Sequence, residues 1–419
     1  MFNRLQDLSP SDLQGKRVLV REDYNVPMSN GKIDDDSRIV ASLPTLRFLV
    51  EAGAKVIVVS HFGRPKHSGS NVEFGASCQA RPSEMNELSL APVSAHLATL
   101  LSNTTVVQAS DVVGEDAQAK VNALENGQIL VLENVRFEAG EEKNDVELAK
   151  ALANFCDIYV NDAFGTSHRA HASTEGVAHY APQAVAGLLM TAEIDALGGI
   201  LSDAPKPVTA IVGGSKVSTK IAVLTNLLDK VDNIIIGGGM AYTFLLAQGS
   251  SVGKSLCEPD FIDTAKNIMA KAKSNGVNVY LSQDIVVADD FSPTANTQTV
   301  EATAIPDGWE GMDIGPKTRQ VFCDVVLSSA SILWNGPVGV FEWDAFANGT
   351  KALAEAIATA TTQGIKTVLG GGDTVSAVEK FQYPKTAFTH VSTGGGASLE
   401  FIEGKELPGI QALKVKASV

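Results

Sequence analysis

Four cysteines in 419 residues, Cys78, Cys156, Cys257 and Cys323, lie far apart with no Cys-x-x-Cys pair. That spacing excludes a disulfide framework and a zinc site, and implies reduced, buried thiols in a cytosolic protein. Positive charge is also short: 33 Lys and Arg stand against 48 Asp and Glu, for a net charge of −15. A chain this acidic is repelled by nucleic acid and by anionic membranes, so neither is expected as a partner. The opening residues, MFNRLQDLSPSDL, lack the apolar core of a secretory signal. No apolar run reaches the roughly 18 residues that suggest a membrane span. A cytoplasmic location is expected, and any anionic ligand must be met by a local cluster of positive charge.

The common nucleotide signatures are missing too. GSSVGKS at 249–255 is one residue short of the phosphate loop GxxxxGK[ST]. No GxGxxG follows an apolar run, which excludes the dinucleotide fingerprint. DAFG at 162–165 is not the DFG of protein kinases.

What is present is an ordinary globular balance, 44% hydrophobic and 19% charged, in a length that suits two domains. Near-continuous apolar runs recur at 17–20, 55–60, 128–132 and 158–160, then at 208–212, 233–236, 277–281, 331–334, 366–369 and 389–392. Such runs suit strands buried on both faces of a parallel sheet. Helical spacing separates them at 43–52, 147–155, 220–229, 259–274 and 351–361. The alternation predicts an α/β protein of two doubly wound, three-layer (αβα) Rossmann-like domains with mainly parallel sheets. A helix over 183–201 and a Pro-flanked joint at 203–207 mark the change of domain, placed at 1–185 and 186–404. The stretch 68–82 reads as a surface loop.

The two halves differ in composition. Of ten arginines, nine lie at or before Arg169, whereas 23 of 37 glycines follow residue 211. Arg21, Arg64, Arg136 and Arg169 each fall just past an apolar run, and ligands of open α/β sheets bind at the carboxyl ends of strands. Four arginines in one topological place predict a crevice for a carboxylate or phosphate. In the second half the run ends carry glycines instead: VGGSKVSTK at 212–220, IGGGM at 236–240, WNGPVG at 334–339, LGGGDT at 369–374 and STGGGA at 392–397. Glycine lets main-chain amides approach phosphate where a helix begins. Asp373 reads equally as a magnesium carboxylate or as the N-cap of the next helix.

Together these segments resemble phosphoglycerate kinases, in the family's order and over nearly the whole chain. The resemblance implies reversible phosphoryl transfer between 1,3-bisphosphoglycerate and ADP, giving 3-phosphoglycerate and ATP, by a monomer. It implies that Asp23, Asn25, Arg38, His61, Phe62, Gly63, Arg64, Arg136 and Arg169 hold the phosphoglycerate, with Arg21 and His168 adding to the patch. Lys220, Glu342, Gly371, Gly372, Asp373 and Thr374 would bind the nucleotide, with Asp373 on Mg²⁺. Lys216, Arg38 and the amides of Gly394 and Gly395 would stabilise the transferring group. It also implies a joining helix and hinge, domain closure, and a C-terminal tail, 405–419, returning to the first domain. Glu22 departs from the pattern, standing where the family has a small or apolar residue, and 68–82 is longer than the usual loop. Two other readings fit the same two halves: another acyl-phosphate-forming ATP-dependent α/β enzyme, and a two-lobed solute-binding protein. The cluster of Lys216, Lys220 and Asp373 suits transfer better than capture.

Overall fold

A computed structural model describes residues 2–66 and 87–414. The loop expected at 68–82, Cys78 and the last five residues lie outside the described residues. The chain divides into two units, 1–192 with 406–419, and 193–405.

The first unit is built on a six-stranded sheet in the order Val106–Gln108, Ile129–Val131, Lys55–Val59, Arg17–Arg21, Ile158–Asn161, Ala184–Ala186. All its pairings are parallel. Val18, Leu19 and Val20 are completely buried, as are Val56–Val59 position by position, because both faces of the sheet are covered. One face packs Val18, Val20, Val56 and Val58 against Ile39, Leu43 and Leu46 of the helix Ser37–Glu51 and Leu97 of Ala91–Leu100. The strand Arg17–Arg21 lies where the winding reverses, so its carboxyl end opens the crevice.

The second unit repeats the plan with the order Asn278–Tyr280, Asn233–Ile236, Val208–Val212, Ser331–Asn335, Lys366–Leu369, His390–Val391, again all parallel. Trp334, fully buried, packs with Phe322, Val326, Leu353 and Ile357 from the helices Pro316–Leu327 and Asn348–Thr362. A small antiparallel sheet, Thr297–Glu301, Asp284–Ala288 and Glu310–Ile314, flanks this core.

The segment expected as one helix over 183–201 is a short edge strand, Ala184–Ala186, followed by the helix Leu188–Ser202. The break has a physical cause. Asp162 accepts the Met190 amide at 2.9 Å and Thr45 accepts that of Leu188 at 3.1 Å, which satisfies the helix start. A side chain at Gly187 would put its Cβ 2.2 Å from Asp162 Oδ1. Near the other terminus, Pro408–Gln411 docks on the first unit, where the Gly409 amide donates to Ser167 O at 2.9 Å.

Candidate active site

In the first unit, the end of the central strand is wired into its neighbours through Arg21. Its guanidinium is fully buried; it donates to Ser173 Oγ at 2.8 Å, to the Glu22 carbonyl, and lies 3.1 Å from His61 Nδ1. Ser173 in turn donates to the buried Glu141 carboxylate through its hydroxyl at 2.6 Å and its amide at 2.9 Å. Two residues on, Asp23 pairs with Arg38 at 2.7 Å. Asn25 accepts the Gly63 amide at 2.9 Å, and Arg136 donates to Gly63 O at 2.6 Å. Asn134 brackets Phe62, accepting its amide at 3.0 Å and donating to its carbonyl at 2.7 Å. The Asn25 amide donates to Asp23 Oδ1 at 3.3 Å and His61 Nδ1 lies 3.8 Å from the same oxygen, so Asp23, Asn25, Arg38, His61, Phe62, Gly63 and Arg136 form one polar assembly.

Electrostatics extend that assembly to Arg169. Burial, then the charges of Arg136 and Arg21, push His171 down to about 4, with Arg169 adding to the effect. Burial and then Arg21, Arg136 and Arg38 hold His61 well below the ordinary histidine range. Both imidazoles are therefore neutral at pH 7, and the arginines supply the positive charge. Arg169 is half-buried, with Nε 3.2 Å from His168 Nε2. Arg64 is exposed and has no side-chain partner among the described residues.

Glu22 faces away from this assembly. It and Asp162 stand one step beyond the paired residues Arg21 and Asn161, on adjacent strands. Both are buried, and each leaves one carboxylate oxygen without a hydrogen bond. Burial and the neighbouring Asp162 raise Glu22 well above the carboxylate range; burial raises Asp162 to about 6.

In the second unit, close main-chain packing replaces side chains. A Cβ at Gly213 would lie 1.9 Å from Pro337 O, and one at Gly238, whose φ is +70°, 2.7 Å from Gly214 O. Two cavities open at these strand ends. One, of about 280 Å³, is bounded by Gly214, Gly238 and Gly339 together with Tyr242, Leu256, Phe291 and Met312, with Glu342 on its edge. The other, of about 180 Å³, is bounded by Lys220, Asn335, Gly371, Gly372, Thr374 and Gly395. Asp373, in the first turn of the helix Gly372–Lys380, borders both. The apolar first cavity suits a base and the second, lined by amides and a lysine, suits phosphates.

Lys220 donates to Asn335 Oδ1 at 2.6 Å, and Asn335 donates to Gly370 O at 2.9 Å. Burial lowers the Lys220 ammonium from its usual range, with Asp373 acting against that. The buried Thr374 hydroxyl accepts from the Gly336 amide at 2.7 Å and donates to Gly370 O at 3.0 Å, so it fastens two glycine loops together. Gly394 is buried with its amide directed at Ser392 Oγ, 3.2 Å away, whereas Gly395 borders the phosphate-sized cavity. That last loop is anchored by the buried Glu193, which accepts the Thr393 amide at 2.7 Å and meets His390 Nε2 at 2.8 Å. Lys216 is exposed; among the described residues its side chain makes no hydrogen bond or ion pair, and its charge acts on the nearby Glu258 carboxylate.

Several contributors escape a reading of the sequence. Asn335 lies inside the WNGPVG motif and His171 two residues past Arg169, but as neutral groups they carry no charge signal. Leu256, Phe291, Met312 and Tyr242 come from separate elements and look like any core residue. A larger hollow of about 570 Å³ in the first unit is lined by Asp34, Asp35, Asp36 and His96, and its acidity suits no anion.

The family model for phosphoglycerate kinase matches residues 5–405. The solved phosphoglycerate kinase of Coxiella burnetii is 44% identical, with a TM-score of 0.87 and 99% of each chain covered. That of Pyrococcus horikoshii OT3 is 32% identical, with a TM-score of 0.76 over 99% of this chain and 98% of the other. With two parallel α/β units, arginines at the strand ends of one and glycine loops at those of the other, the chain belongs to the phosphoglycerate kinase family, the phosphotransferases that move a phosphoryl group reversibly between 1,3-bisphosphoglycerate and ADP.

Proposed function

We propose that the first unit holds 3-phosphoglycerate through Arg21, Arg38, Arg64, Arg136 and Arg169, and that the second holds ATP with its phosphates among Lys220, Gly371, Gly372, Asp373 and Gly395. The observation that carries this reading is the gathering of Arg21, Arg38, Arg136 and Arg169 around two neutral histidines. A site with that much permanent positive charge matches a small acid that carries two anionic groups, a carboxylate and a phosphate. Asp23, Asn25 and the Phe62–Gly63 backbone orient the arginines and the acid's hydroxyl end.

Asp373 fits a magnesium ion. It offers one hard oxygen donor beside the phosphate-sized cavity, and no cluster of three or more His, Cys, Asp or Glu suited to a metal occurs among the described residues. One carboxylate plus nucleotide phosphates and water is the coordination Mg²⁺ favours. When bound, the ion supplies neutralisation of phosphate charge.

In the direction of ATP use, a carboxylate oxygen of 3-phosphoglycerate attacks the γ-phosphorus. That O–P bond forms as the bond from the γ-phosphorus to the bridging oxygen breaks, and the electron pair leaves with ADP. The carboxylate is already ionised, so no general base is required. Lys216, Arg38 and the Gly395 amide neutralise the charge on the transferring group. Because separate units hold the two ligands, transfer requires them to be brought into line with water excluded. The same reading makes this a monomeric cytoplasmic enzyme of glycolysis and gluconeogenesis, in keeping with the free thiols of Cys156, Cys257 and Cys323.

The test is ADP release from ATP on addition of 3-phosphoglycerate, with Mg²⁺ present and the bisphosphorylated product removed enzymatically. Turnover that vanishes with a chelator and returns with Mg²⁺ is expected. An absence of turnover under those conditions overturns the assignment.

A further inference from the structure

The two lysines assigned above to the phosphates stand on the loop 213–220, between the strand Val208–Val212 and the helix Ile221–Leu227. This loop has no regular structure of its own, yet Lys216 has to be held in one place to serve a transferring group. The grip comes from outside the loop. Glu258 accepts the Ser218 hydroxyl on one carboxylate oxygen at 2.6 Å and the Ser218 amide on the other at 3.0 Å. Its own amide donates at 3.0 Å to Thr243 Oγ1, on the buried face of the helix Met240–Ala247. The carboxylate therefore holds the loop from a fixed base. Burial alone would raise Glu258, but the Ser218 bonds, the Val217 amide and the Lys216 charge outweigh it and keep the group ionised.

The same short segment also reaches the nucleotide cavity. Leu256, two residues before Glu258, borders the base-sized cavity and lies against Gly239, where a Cβ would be 3.1 Å from Leu256 Cδ2 and 2.8 Å from Ser215 O. One end of the segment thus touches the cavity wall, and the other holds the lysine loop.

We propose that Glu258 is a positioning residue for phosphoryl transfer, which fixes the 216–220 loop so that Lys216 meets the transferring group and links that placement to the cavity wall at Leu256. The proposal rests on the role given to Lys216 above. Loss of the clamp leaves the lysine charge in the molecule but removes its fixed position, so it acts on turnover more than on capture of either substrate.

The experiment is steady-state kinetics with ATP and 3-phosphoglycerate on Glu258→Ala, Glu258→Gln, Lys216→Ala and the double variant Glu258→Ala/Lys216→Ala. Glu258→Ala is expected to lower kcat on the order of tenfold, with KM for 3-phosphoglycerate unchanged within about twofold. Glu258→Gln, which retains one acceptor oxygen, recovers part of the loss. In the Lys216→Ala background, Glu258→Ala costs nothing further, because a residue acting through Lys216 has nothing left to position. Unchanged kcat in Glu258→Ala beside a damaged Lys216→Ala overturns the proposal, as does a further multiplicative loss in the double variant. Full activity of Lys216→Ala instead overturns the reading of Lys216 itself. Should Glu258→Ala not fold, Ser218→Ala removes the 2.6 Å bond alone and carries the same comparison, alone and with Lys216→Ala.

Discussion

In the unit that carries the arginines, positive charge is delivered by long side chains reaching in from buried anchor points, whereas in the glycine unit it is delivered by main-chain amides and two lysines of one loop, the half-buried Lys220 and the exposed Lys216. The first arrangement needs a second layer: Ser173, Glu141 and His61 hold the Arg21 guanidinium, Asp23 holds that of Arg38, and Asn134 fixes the main chain of Arg136. The second needs bare backbone, because at Gly213 and Gly238 carbonyl oxygens already occupy the position of a Cβ. The two designs fail differently. Truncating a partly exposed arginine in the first, such as Arg38, removes function and leaves the fold. Adding a methyl group in the second damages both.

The sharpest way to break that contrast is Arg38→Ala. Arg38 is partly exposed and among the described residues pairs only with Asp23, so its loss should leave the thermal midpoint nearly unchanged. Turnover should fall on the order of a hundredfold, about 2.7 kcal/mol in the barrier, with ATP affinity intact. Unaltered kcat would remove Arg38 from the transition state. A large drop in the midpoint would remove the contrast.

Next in size is Gly238→Ala. Its φ of +70° and the nearby Gly214 carbonyl make any side chain strained, and about 2 kcal/mol of stability should be lost. ATP binding should weaken in the same variant, since Gly238 borders the base-sized cavity. Denaturant unfolding and an ATP titration read the two effects, and a stability equal to wild type would contradict the packing argument.

The smallest effect falls on Glu22. Its folded-state pKa lies above the unfolded one, so its contribution to stability is fully present below the ordinary carboxylate range and is lost as pH rises through the raised value. Glu22→Gln should therefore match wild type near pH 4 and exceed it by roughly 1 kcal/mol at pH 8. A gain that is the same at both pH values would mean that burial and the nearby Asp162 do not raise the Glu22 carboxyl.

The strands that proved easiest to read are those buried on both faces. Val208–Val212, Asn233–Ile236 and Lys366–Leu369 begin and end where their apolar runs do, since every position meets a covered face. Edge strands leave a fainter trace: Val106–Gln108 is only half-buried, and Ala184–Ala186 is short and made of small residues that also suit a helix. Thr297–Glu301 is largely exposed and carries a single apolar residue, Val300. The site divides along the same line. Arginines and glycine runs are conspicuous because they sit at strand ends for a chemical reason, and the groups that orient them are ordinary polar residues. Glu258, eighteen residues beyond the helix start at Met240, gives no hint in the sequence that it grips Ser218.

The docking of Pro408–Gln411 on the first unit has a consequence for synthesis. The first unit is made of both ends of the chain, with Asn161 and Ser167 bonded to Gly409 and Phe2 bridged to Lys414, whereas the second is one continuous stretch, 193–405. On the ribosome, the part translated first is therefore the part completed last, and it waits for its closing segment until the whole second unit has emerged.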